Sequence, residues 1–439
     1  MVKKLLLSFL TVSLFFRAPL TVAPGVENLV EEFRSQTKCG NVSVVVYDHG
    51  EITYYGDSDC LYQIGSMTKS FTGLAVQKLI DNGILSKDDT VSDLIPGFTA
   101  YYDSSEVQIT VEDLLRQSSG FTNSENDYPS ASEGMTLEEW AHSISGKELR
   151  SIPGTEYSYS NTNYNLLGLI IEKKTGMSYR EFMEDAVLYP LGLDSTSAGI
   201  PENSDRIIEG TRLGFRSVFG YEVTVREGSV PAGYFYSDTE DIGKWMSAWI
   251  EGTDPDMEAV MANLKSEGDY YAGWERFGGD TTGHSGGTPN YSSRIVFSRS
   301  MGTGVCVLTN LNVASTTDSL CNSIFAELTG RDHDGLICDV WTVFDIIFTA
   351  VSVTGTVSLI VVLCLKKRGL LIGVLSIYAV LTALILILFP IIFGADIKTI
   401  ALTWAPWSFF AGTVMMVINA VSAGIKLLVK SNEGRAKTG

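Results

Sequence analysis

The chain has 439 residues, of which 45% are hydrophobic and only 19% are charged. This composition is too apolar for a disordered chain or an ordinary soluble enzyme, so part of the chain should lie in a membrane. Its 32 basic and 51 acidic residues give a net charge of −19, which argues against nucleic acid as a partner. Four scattered histidines offer little for a metal site, and six cysteines are too few for a disulfide scaffold.

The N-terminal segment has the pattern of an export signal. Lys3 and Lys4 precede the apolar stretch 5–16, which is too short to span a bilayer comfortably, and residues 21–23 offer a cleavage site. We therefore predict a signal peptide at residues 1–23. The alternative is an uncleaved N-terminal anchor.

Three long uncharged stretches dominate the C-terminal region. We predict a membrane domain at residues 339–439, with spans at about 342–365, 369–394 and 401–425. Basic residues cluster between the first two spans, at 366–368, and again after the third span. The positive-inside rule then places the C-terminus in the cytoplasm and residues 24–338 outside the cell membrane, in agreement with the export signal.

Residues 24–338 show strand patterns at both ends and helical patterns between them. Hairpins are predicted across Asp48–Glu51 and across Ser298–Thr303. Helices are predicted at residues 107–117, 163–175, 179–188 and 237–249, with a closing helix at 317–328. This order predicts an α+β domain: an antiparallel sheet made from both ends, flanked by helices, with an inserted and mainly helical region.

A candidate nucleophile begins another predicted helix, which runs to about Asp81. Ser66 and Lys69 are three residues apart, so one helical turn places both side chains on one face. A serine hydroxyl needs a base to take its proton, and a lysine can serve if its surroundings keep it neutral. The pattern alone is a weak signal, because residues 35–38 repeat it and a plain helix cap would explain it.

Two further elements strengthen the hypothesis. Tyr159 and Asn161 form a Tyr-x-Asn triplet before a helix, where the phenol can exchange protons and the amide can orient a substrate. The glycine-rich segment His284–Gly287 precedes a hairpin and would allow a substrate to lie along a strand edge. Taken singly, the first could be an Asx cap with surface aromatics and the second a glycine-rich turn.

In this order, the three elements resemble those of the serine β-lactamase and penicillin-binding-protein superfamily, above all its class C-like branch of DD-peptidases, esterases and D-amino-acid peptidases. The resemblance covers roughly residues 28–330 and includes the segments 114–120, 164–179, 190–193 and 232–237. It implies no cofactor and no metal. The catalytic residues that it implies are Ser66, Lys69 and Tyr159, and the substrate-binding or oxyanion residues are Asn161, His284, Ser285, Gly286 and Gly287.

One departure from the family pattern bears on the substrate. Many members carry Lys-Thr-Gly where this chain has His284-Ser285-Gly286. A histidine is mostly neutral near pH 7, so it holds a substrate carboxylate less firmly than a lysine does. This lowers the case for a typical β-lactamase or a strict DD-carboxypeptidase.

The implied mechanism is two-step acyl transfer through an acyl-enzyme on Ser66. Lys69 and Tyr159 would share the general base and acid work, and the N–H groups of Ser66 and Gly287 would form the oxyanion hole. The expected substrate is a small molecule or peptide outside the membrane, above all a D-amino-acid-containing peptide or an acyl-D-amino-acid amide. Three spans after this domain also resemble the layout of the colibactin-maturation peptidase group. The alternatives are a β-lactamase or esterase, and a non-catalytic sensor of penicillin or wall fragments.

Cys39 and Cys60 are predicted to form a disulfide. In a hairpin centred on His49 and Gly50, opposed residue numbers sum to 99, which sets Cys39 against Cys60. The predicted compartment permits oxidation. The alternative is two buried thiols.

Overall fold

The computed structural model describes residues 25–436, apart from Ser58, Asn203 and Glu267. The predicted signal peptide at residues 1–23 lies outside the described residues. In chain order the described α-helices are α1 (Val26–Thr37), α2 (Thr68–Asp81), α3 (Val91–Leu94), α4 (Val111–Leu115), α5 (Leu137–Ile144), α6 (Asn161–Thr175), α7 (Tyr179–Met183), α8 (Val230–Gly233), α9 (Thr239–Glu251), α10 (Pro255–Ser266), α11 (Ala314–Leu328), α12 (Val340–Cys364), α13 (Arg368–Phe393), α14 (Ile397–Thr399) and α15 (Trp407–Ala436).

The central sheet is antiparallel and, within the described residues, has seven strands drawn from both ends of the region 25–338, which precedes the long apolar helices and is called the extramembrane domain below. Numbered along the chain but given in spatial order, they are β11 (Tyr270–Tyr271), β12 (Trp274–Gly278), β13 (Thr281–Gly287), β14 (Ser292–Ser298), β15 (Thr303–Thr309), β1 (Val42–Asp48) and β2 (Glu51–Gly56). The smaller sheets use β3 (Tyr62–Gln63), β4 (Ala100–Tyr102), β5 (Ser105–Val107), β6 (Lys147–Glu148), β7 (Ser197–Ala198), β8 (Thr211–Gly214), β9 (Ser217–Gly220) and β10 (Phe235–Ser237). The predicted α+β fold class is confirmed.

Both faces of the central sheet are covered by helices. Along β1, Val44 joins the core under α1 and α11, whereas Val45 joins the core under α2 and α9. Burial on both faces explains why residues 44–47 are all apolar rather than alternating between apolar and polar. Helix α2 belongs to one of these layers, so the serine-lysine pair lies over one face of the sheet.

The predicted hairpins are present, but one predicted helix is much shorter than expected. Residues 107–117 were expected to be helical, whereas only α4 is, and Val107 ends β5. Thr110 and Asp113 form a capping box that begins α4, with each side chain bonded to the other residue's backbone N–H. Gln117 follows the helix with a positive φ of 60°. These local side-chain signals outweigh the apolar periodicity on which the longer prediction rested.

The predicted disulfide is wrong, although the hairpin register is right. Asp48 faces Glu51 and Ser43 faces Gly56, so the numbers sum to 99 as predicted. Pairing ends there, because Gly56 has a φ of 79° and turns the chain away. Cys39 Sγ instead donates hydrogen bonds to Asn41 O at 3.2 Å and Asn310 Oδ1 at 3.3 Å. No bond joins Cys39 to Cys60 in the part of the chain that the structure describes.

Among the described residues, three helices are long and apolar enough to cross a membrane: α12, α13 and residues 407–432 of α15. The third begins six residues later than the predicted start at 401. Residues 400–404 form a wide turn, and Ala405 is extended because the ring of Pro406 disfavours a helical conformation in the preceding residue. The regular helix therefore starts only at Trp407.

The two ends of the three-helix bundle make different contacts. At one end, Arg212 of β8 donates hydrogen bonds to backbone carbonyls of residues 401–405. At the other end, Lys426 Nζ donates to the carbonyls of Val362 and Leu363 at 2.9 and 2.5 Å. The extramembrane domain and the basic turn 366–368 therefore lie at opposite ends of the bundle.

Candidate active site

Ser66 and Lys69 face each other at the beginning of α2. Ser66 lies in a short 3₁₀ turn, Gly65–Met67, that leads into the helix, and Lys69 is in its first turn. Lys69 Nζ is 2.9 Å from Ser66 Oγ. The three-residue spacing thus produces the side-by-side geometry that the sequence predicted.

The other contacts of Lys69 are with uncharged oxygens. Its Nζ donates to Asn161 Oδ1 at 2.7 Å and to the carbonyl of Ala232 at 2.6 Å. The side chain is fully buried, and this burial lowers the pKa of Lys69 well below its usual value. The negative charge of Glu275 acts in the opposite direction but more weakly. Lys69 is therefore held in surroundings that favour the neutral amine.

The Tyr-x-Asn triplet is brought to this pair by Gln117. Gln117 Oε1 accepts a hydrogen bond from Ser160 N at 2.9 Å, and Gln117 O accepts one from Ser158 N at 2.7 Å. Ser160 then caps α6, of which Asn161 is the first residue. These bonds fix the segment on which Tyr159 and Asn161 stand.

The Tyr159 ring lies beside the lysine, with its centroid 4.9 Å from Lys69 Nζ. Burial raises the pKa of Tyr159 well above its usual value, and hydrogen bonding to Ser66 offsets this only in part. The phenol therefore stays protonated at neutral pH. Lys69 and Tyr159 are thus tuned in opposite directions, one toward the base form and the other toward the acid form.

Glycines let the turn that holds Ser66 lie directly against β13. Gly65 has a φ of 52°, and a Cβ there would come within 2.4 Å of Gly287 N. A Cβ on Gly286 would come within 2.1 Å of the carbonyl of Ile64. Only glycine fits at both places, so the backbone around Ser66 and the N–H of Gly287 are neighbours.

His284 is neutral and its ring is buried. Burial, and secondarily the positive charge of Lys69, lower the pKa of His284 to about 3. Its Nδ1 donates to the carbonyl of Ser285 at 2.6 Å, and its Nε2 has no hydrogen-bond partner among the described residues. The ring lies near Tyr159 and Tyr270, with centroid distances of 6.0 and 5.9 Å. His284 thus carries no positive charge, and its Nε2 is a buried acceptor beside the two tyrosine rings.

The side chain of Ser285 points to the opposite face of the sheet. Its Oγ accepts from Arg294 Nη1 at 2.7 Å and donates to Asp318 Oδ2 at 3.0 Å. The hydroxyl is therefore already engaged, and Ser285 can meet a substrate only through its backbone.

Sequence reasoning missed several residues that form the site. Gln117 lies in the segment 114–120, which was noted for its family resemblance but given no role. Tyr270 contacts both Tyr159 and His284, and Glu275 lies opposite Gly283 on the neighbouring strand. Neither carries a motif, because each stands on a strand of two to five residues whose position depends on the whole sheet. Among the described residues no group of acidic, histidine and cysteine side chains could hold a metal ion.

Two known proteins are similar to this chain in sequence. The Protein flp of Staphylococcus aureus (strain NCTC 8325 / PS 47) is 28% identical over 401 residues, which cover 84% of this chain and 80% of the relative. A protein of Escherichia coli K12 named "Putative D-alanyl-D-alanine carboxypeptidase" is 34% identical over 149 residues, covering 31% of this chain and 33% of that protein.

Two solved structures are similar in fold. The octameric penicillin-binding protein homologue from Pyrococcus abyssi has a TM-score of 0.60 and 25% identity, over 71% of this chain and 78% of its own. The D-stereospecific amidohydrolase from Streptomyces sp. has a TM-score of 0.56 and 22% identity, over 70% of this chain and all of its own. The family model described as Beta-lactamase matches residues 26–322. This match spans well over half of the chain, and the chain belongs to the β-lactamase family.

Proposed function

We propose that this protein is a membrane-anchored serine hydrolase that acts outside the cytoplasm, through an acyl-enzyme, on an amide or ester of a D-amino-acid-containing peptide or an acyl-D-amino-acid. Ser66 is the nucleophile, Lys69 the base and Tyr159 the proton donor in this proposal. The N–H groups of Ser66 and Gly287 form the oxyanion hole. Asn161 and the backbone of residues 284–286 hold the substrate.

The hydrogen bonds of Lys69 carry the proposal. A neutral amine has two N–H donors and one lone pair. Asn161 Oδ1 and the carbonyl of Ala232 take the two donors at 2.7 and 2.6 Å. The lone pair is then directed at the Ser66 hydroxyl, 2.9 Å away, which is the arrangement that a base needs to remove the proton.

The proton then has a defined route. Ser66 Oγ attacks the carbonyl carbon while its proton moves to Lys69, and the oxygen of the substrate becomes negative in the oxyanion hole. Tyr159, held in its phenol form, donates a proton to the leaving group as the carbonyl–leaving-group bond breaks, and the ammonium of Lys69 restores that proton. Water then attacks the acyl-enzyme and gives a proton to the neutral Lys69. As the bond between the acyl carbon and Ser66 Oγ breaks, the ammonium of Lys69 returns a proton to Oγ, which releases the acid and restores Ser66 and the neutral amine.

The charges around Ser66 favour an amide or ester whose leaving group carries no free carboxylate. His284 is neutral, and Arg294 is bonded to Ser285 on the other face of the sheet. The pairing of β12 with β13 stops at Gly283, which leaves the edge of residues 284–287 open for an extended substrate. The D-configuration is proposed from the printed names of two similar proteins, "Putative D-alanyl-D-alanine carboxypeptidase" and a D-stereospecific amidohydrolase.

The orientation in the membrane rests on the distribution of basic residues. The turn 366–368 and Lys426 lie at the bundle end opposite to the one that contacts the extramembrane domain. With the basic end in the cytoplasm, the catalytic domain lies outside.

Covalent labelling tests the proposal. The full chain in detergent is treated with a fluorophosphonate probe, and the labelled peptide is identified by mass spectrometry. We expect label on Ser66 and none in Ser66→Ala. The matched control is Ser35→Ala, which removes the exposed serine of the second Ser-x-x-Lys copy and should leave labelling unchanged.

Substrate panels then separate the alternatives. Matched N-acyl-D- and N-acyl-L-amino-acid anilides should be hydrolysed with a preference for the D form. Faster turnover of a penicillin or of a simple ester would replace the proposal by a β-lactamase or esterase. Stoichiometric penicillin binding without turnover of any substrate would replace it by a sensor.

A further inference from the structure

The hairpin β8–β9 of the extramembrane domain is fastened to the first span. Its turn is formed by Phe215 and Arg216, both with positive φ values, of 53° and 60°. Their N–H groups donate to the two carboxylate oxygens of Asp345, at 2.8 and 2.6 Å. Ser408 Oγ of the third span donates to the same carboxylate at 2.6 Å. Asp345 is only 2% exposed, so these bonds compensate the burial of a charge.

A second fastening uses Arg212 on the same hairpin. Its guanidinium donates to the carbonyls of Leu402 and Ala405 at 3.0 and 2.6 Å, in the wide turn that precedes the third span. It also contacts two neighbouring rings, with its Cζ 4.8 Å from the centroid of Tyr221 and 4.5 Å from that of Trp407. Arg212 is only 3% exposed. If the two domains were joined only by a flexible tether, neither Asp345 nor Arg212 would need to be buried between them.

The base of the same hairpin is bonded to the loop that directly follows the oxyanion strand. Residues 288–291 connect Gly287, the last residue of β13, to β14. Asn290 Nδ2 donates to the carbonyl of Tyr221 at 2.8 Å, and Thr211 N donates to Asn290 O at 3.2 Å. Asn290 is 4% exposed. Gly287 is therefore three residues from a side chain that is fixed to the hairpin on the bundle.

The other side of this loop contacts the nucleophile's turn. Ser293 Oγ, at the start of β14, donates to the carbonyl of Ile64 at 2.8 Å. Ile64 is the residue that precedes the Gly65–Met67 turn. Polar contacts, joined by the backbone of residues 287–293, thus link the membrane helices and the hairpin to both halves of the oxyanion hole.

We propose that the membrane bundle is part of the framework of the active site, with Arg212, Asp345 and Asn290 as positioning residues that set the place of the Gly287 N–H relative to Ser66. This inference rests on the proposed function. Catalysis by oriented N–H groups is sensitive to shifts of about 1 Å, which can lower a rate about 100-fold. Loosening the hairpin should therefore slow acylation while leaving the cleft able to bind.

The test uses the full chain in lipid nanodiscs and the rate of fluorophosphonate labelling of Ser66 at several probe concentrations. For Arg212→Gln and Asp345→Asn we expect the limiting rate to fall about 10- to 100-fold, with the half-saturating concentration within about twofold of wild type. Asn290→Ala breaks only the link between loop and hairpin, and it should reproduce the same loss. The matched control is Asn419→Ala, which removes a buried hydrogen bond of 2.9 Å to Gly355 O inside the bundle, away from the hairpin.

Hydrogen–deuterium exchange supplies a second readout that does not depend on catalysis. Arg212→Gln should speed exchange in the peptide that contains residues 287–291 and leave the peptide of β15 unchanged. Wild-type labelling rates in Arg212→Gln, Asp345→Asn and Asn290→Ala would overturn the inference, as would an equal loss in Asn419→Ala. Failure of the proposed function looks different, because wild type itself would then carry no label on Ser66.

Discussion

Helix α2 carries a lysine near each end, and the two have opposite surroundings. Lys69 Nζ, in the first turn, contacts the oxygens of Ser66, Asn161 and Ala232, none of them charged. Lys78 Nζ, in the last turn, donates to the carboxylates of Asp254 and Asp256, both at 2.8 Å.

These partners decide the charge state of each lysine. Burial alone lowers the pKa of Lys69. Burial also acts to lower the pKa of Lys78, but the hydrogen bonds with Asp254 and Asp256 outweigh it, and the pKa is raised. A lysine on the same helix thus becomes a structural cation when it is only partly buried and meets carboxylates, and a candidate base when it is fully buried among neutral oxygens. Substitutions at the two lysines should therefore have different effects, on activity at Lys69 and on stability at Lys78.

The largest effect is expected for Lys69→Met, which keeps the length of the side chain and removes the amine. Acylation of Ser66 should fall by about four orders of magnitude, because the nucleophile loses the group that takes its proton. Stability should be equal or higher, since a buried amine is replaced by an apolar side chain. The measurements are kcat/KM on the best substrate and chemical denaturation of the full chain in detergent. Activity within tenfold of wild type would refute the role of Lys69.

The second effect concerns the pH dependence of stability through His284. Its pKa is lowered from 6.5 to about 3, so the folded protein resists a protonation that the unfolded chain accepts. Stability is therefore complete above pH 6.5 and is lost as the pH falls toward 3, by up to about 1.4 kcal/mol per pH unit. In His284→Gln this component is absent. Denaturation of both proteins between pH 8 and pH 4.5 measures the two slopes, and equal slopes would contradict a buried neutral histidine.

The third effect tests the structural lysine. Lys78→Met leaves Asp254 and Asp256 side by side without their cation, and we expect a loss of about 1–2 kcal/mol in the free energy of unfolding, since the group is only partly buried. Activity should stay near that of wild type. Lys78→Met combined with Asp254→Asn and Asp256→Asn should recover part of the stability. A loss of activity comparable to that of Lys69→Met would erase the distinction between the two ends of the helix.

Sequence alone predicted the parts of this site that depend on short-range geometry. The spacing of Ser66 and Lys69 requires only one helical turn, and the numbering of the first hairpin requires only its centre at His49 and Gly50. Both follow from local backbone geometry, which the residues themselves specify. The fold class followed from the order of strand and helix patterns in the same way.

The features that sequence missed depend on where a chain segment stops. Strand pairing ends at Gly56, so Cys39 turns toward Asn310 instead of Cys60. The third span begins at Trp407 because Pro406 interrupts a stretch that is uncharged throughout. Composition reports that a segment is apolar or extended, but a single glycine or proline decides its last residue.

Contacts between residues far apart in the chain were the other features that the sequence did not predict. The bonds from Gln117 to Ser158 and Ser160 join segments about 40 residues apart, and those from Arg212 to the turn before the third span join segments about 190 residues apart. Each of these residues is ordinary in its local sequence. Only the packed fold shows that Gln117 orients the Tyr-x-Asn triplet and that Arg212 ties the extramembrane domain to the bundle.

The smallest effect sharpens the contrast between the two lysines through a carboxylate that acts at a distance. Glu275 raises the pKa of Lys69, against the larger effect of burial. In Glu275→Gln this charge is gone, so the pKa of Lys69 falls further and a larger fraction of the amine is neutral at low pH. The acid limb of the acylation rate should therefore move to lower pH, while the rate at high pH changes little. Stopped-flow labelling of Ser66 from pH 5 to 9 measures the limb, with Glu138→Gln as the control for an exposed acid that is paired with Lys173. A limb that stays in place, or moves to higher pH, would show that Lys69 is not the group whose protonation limits the reaction.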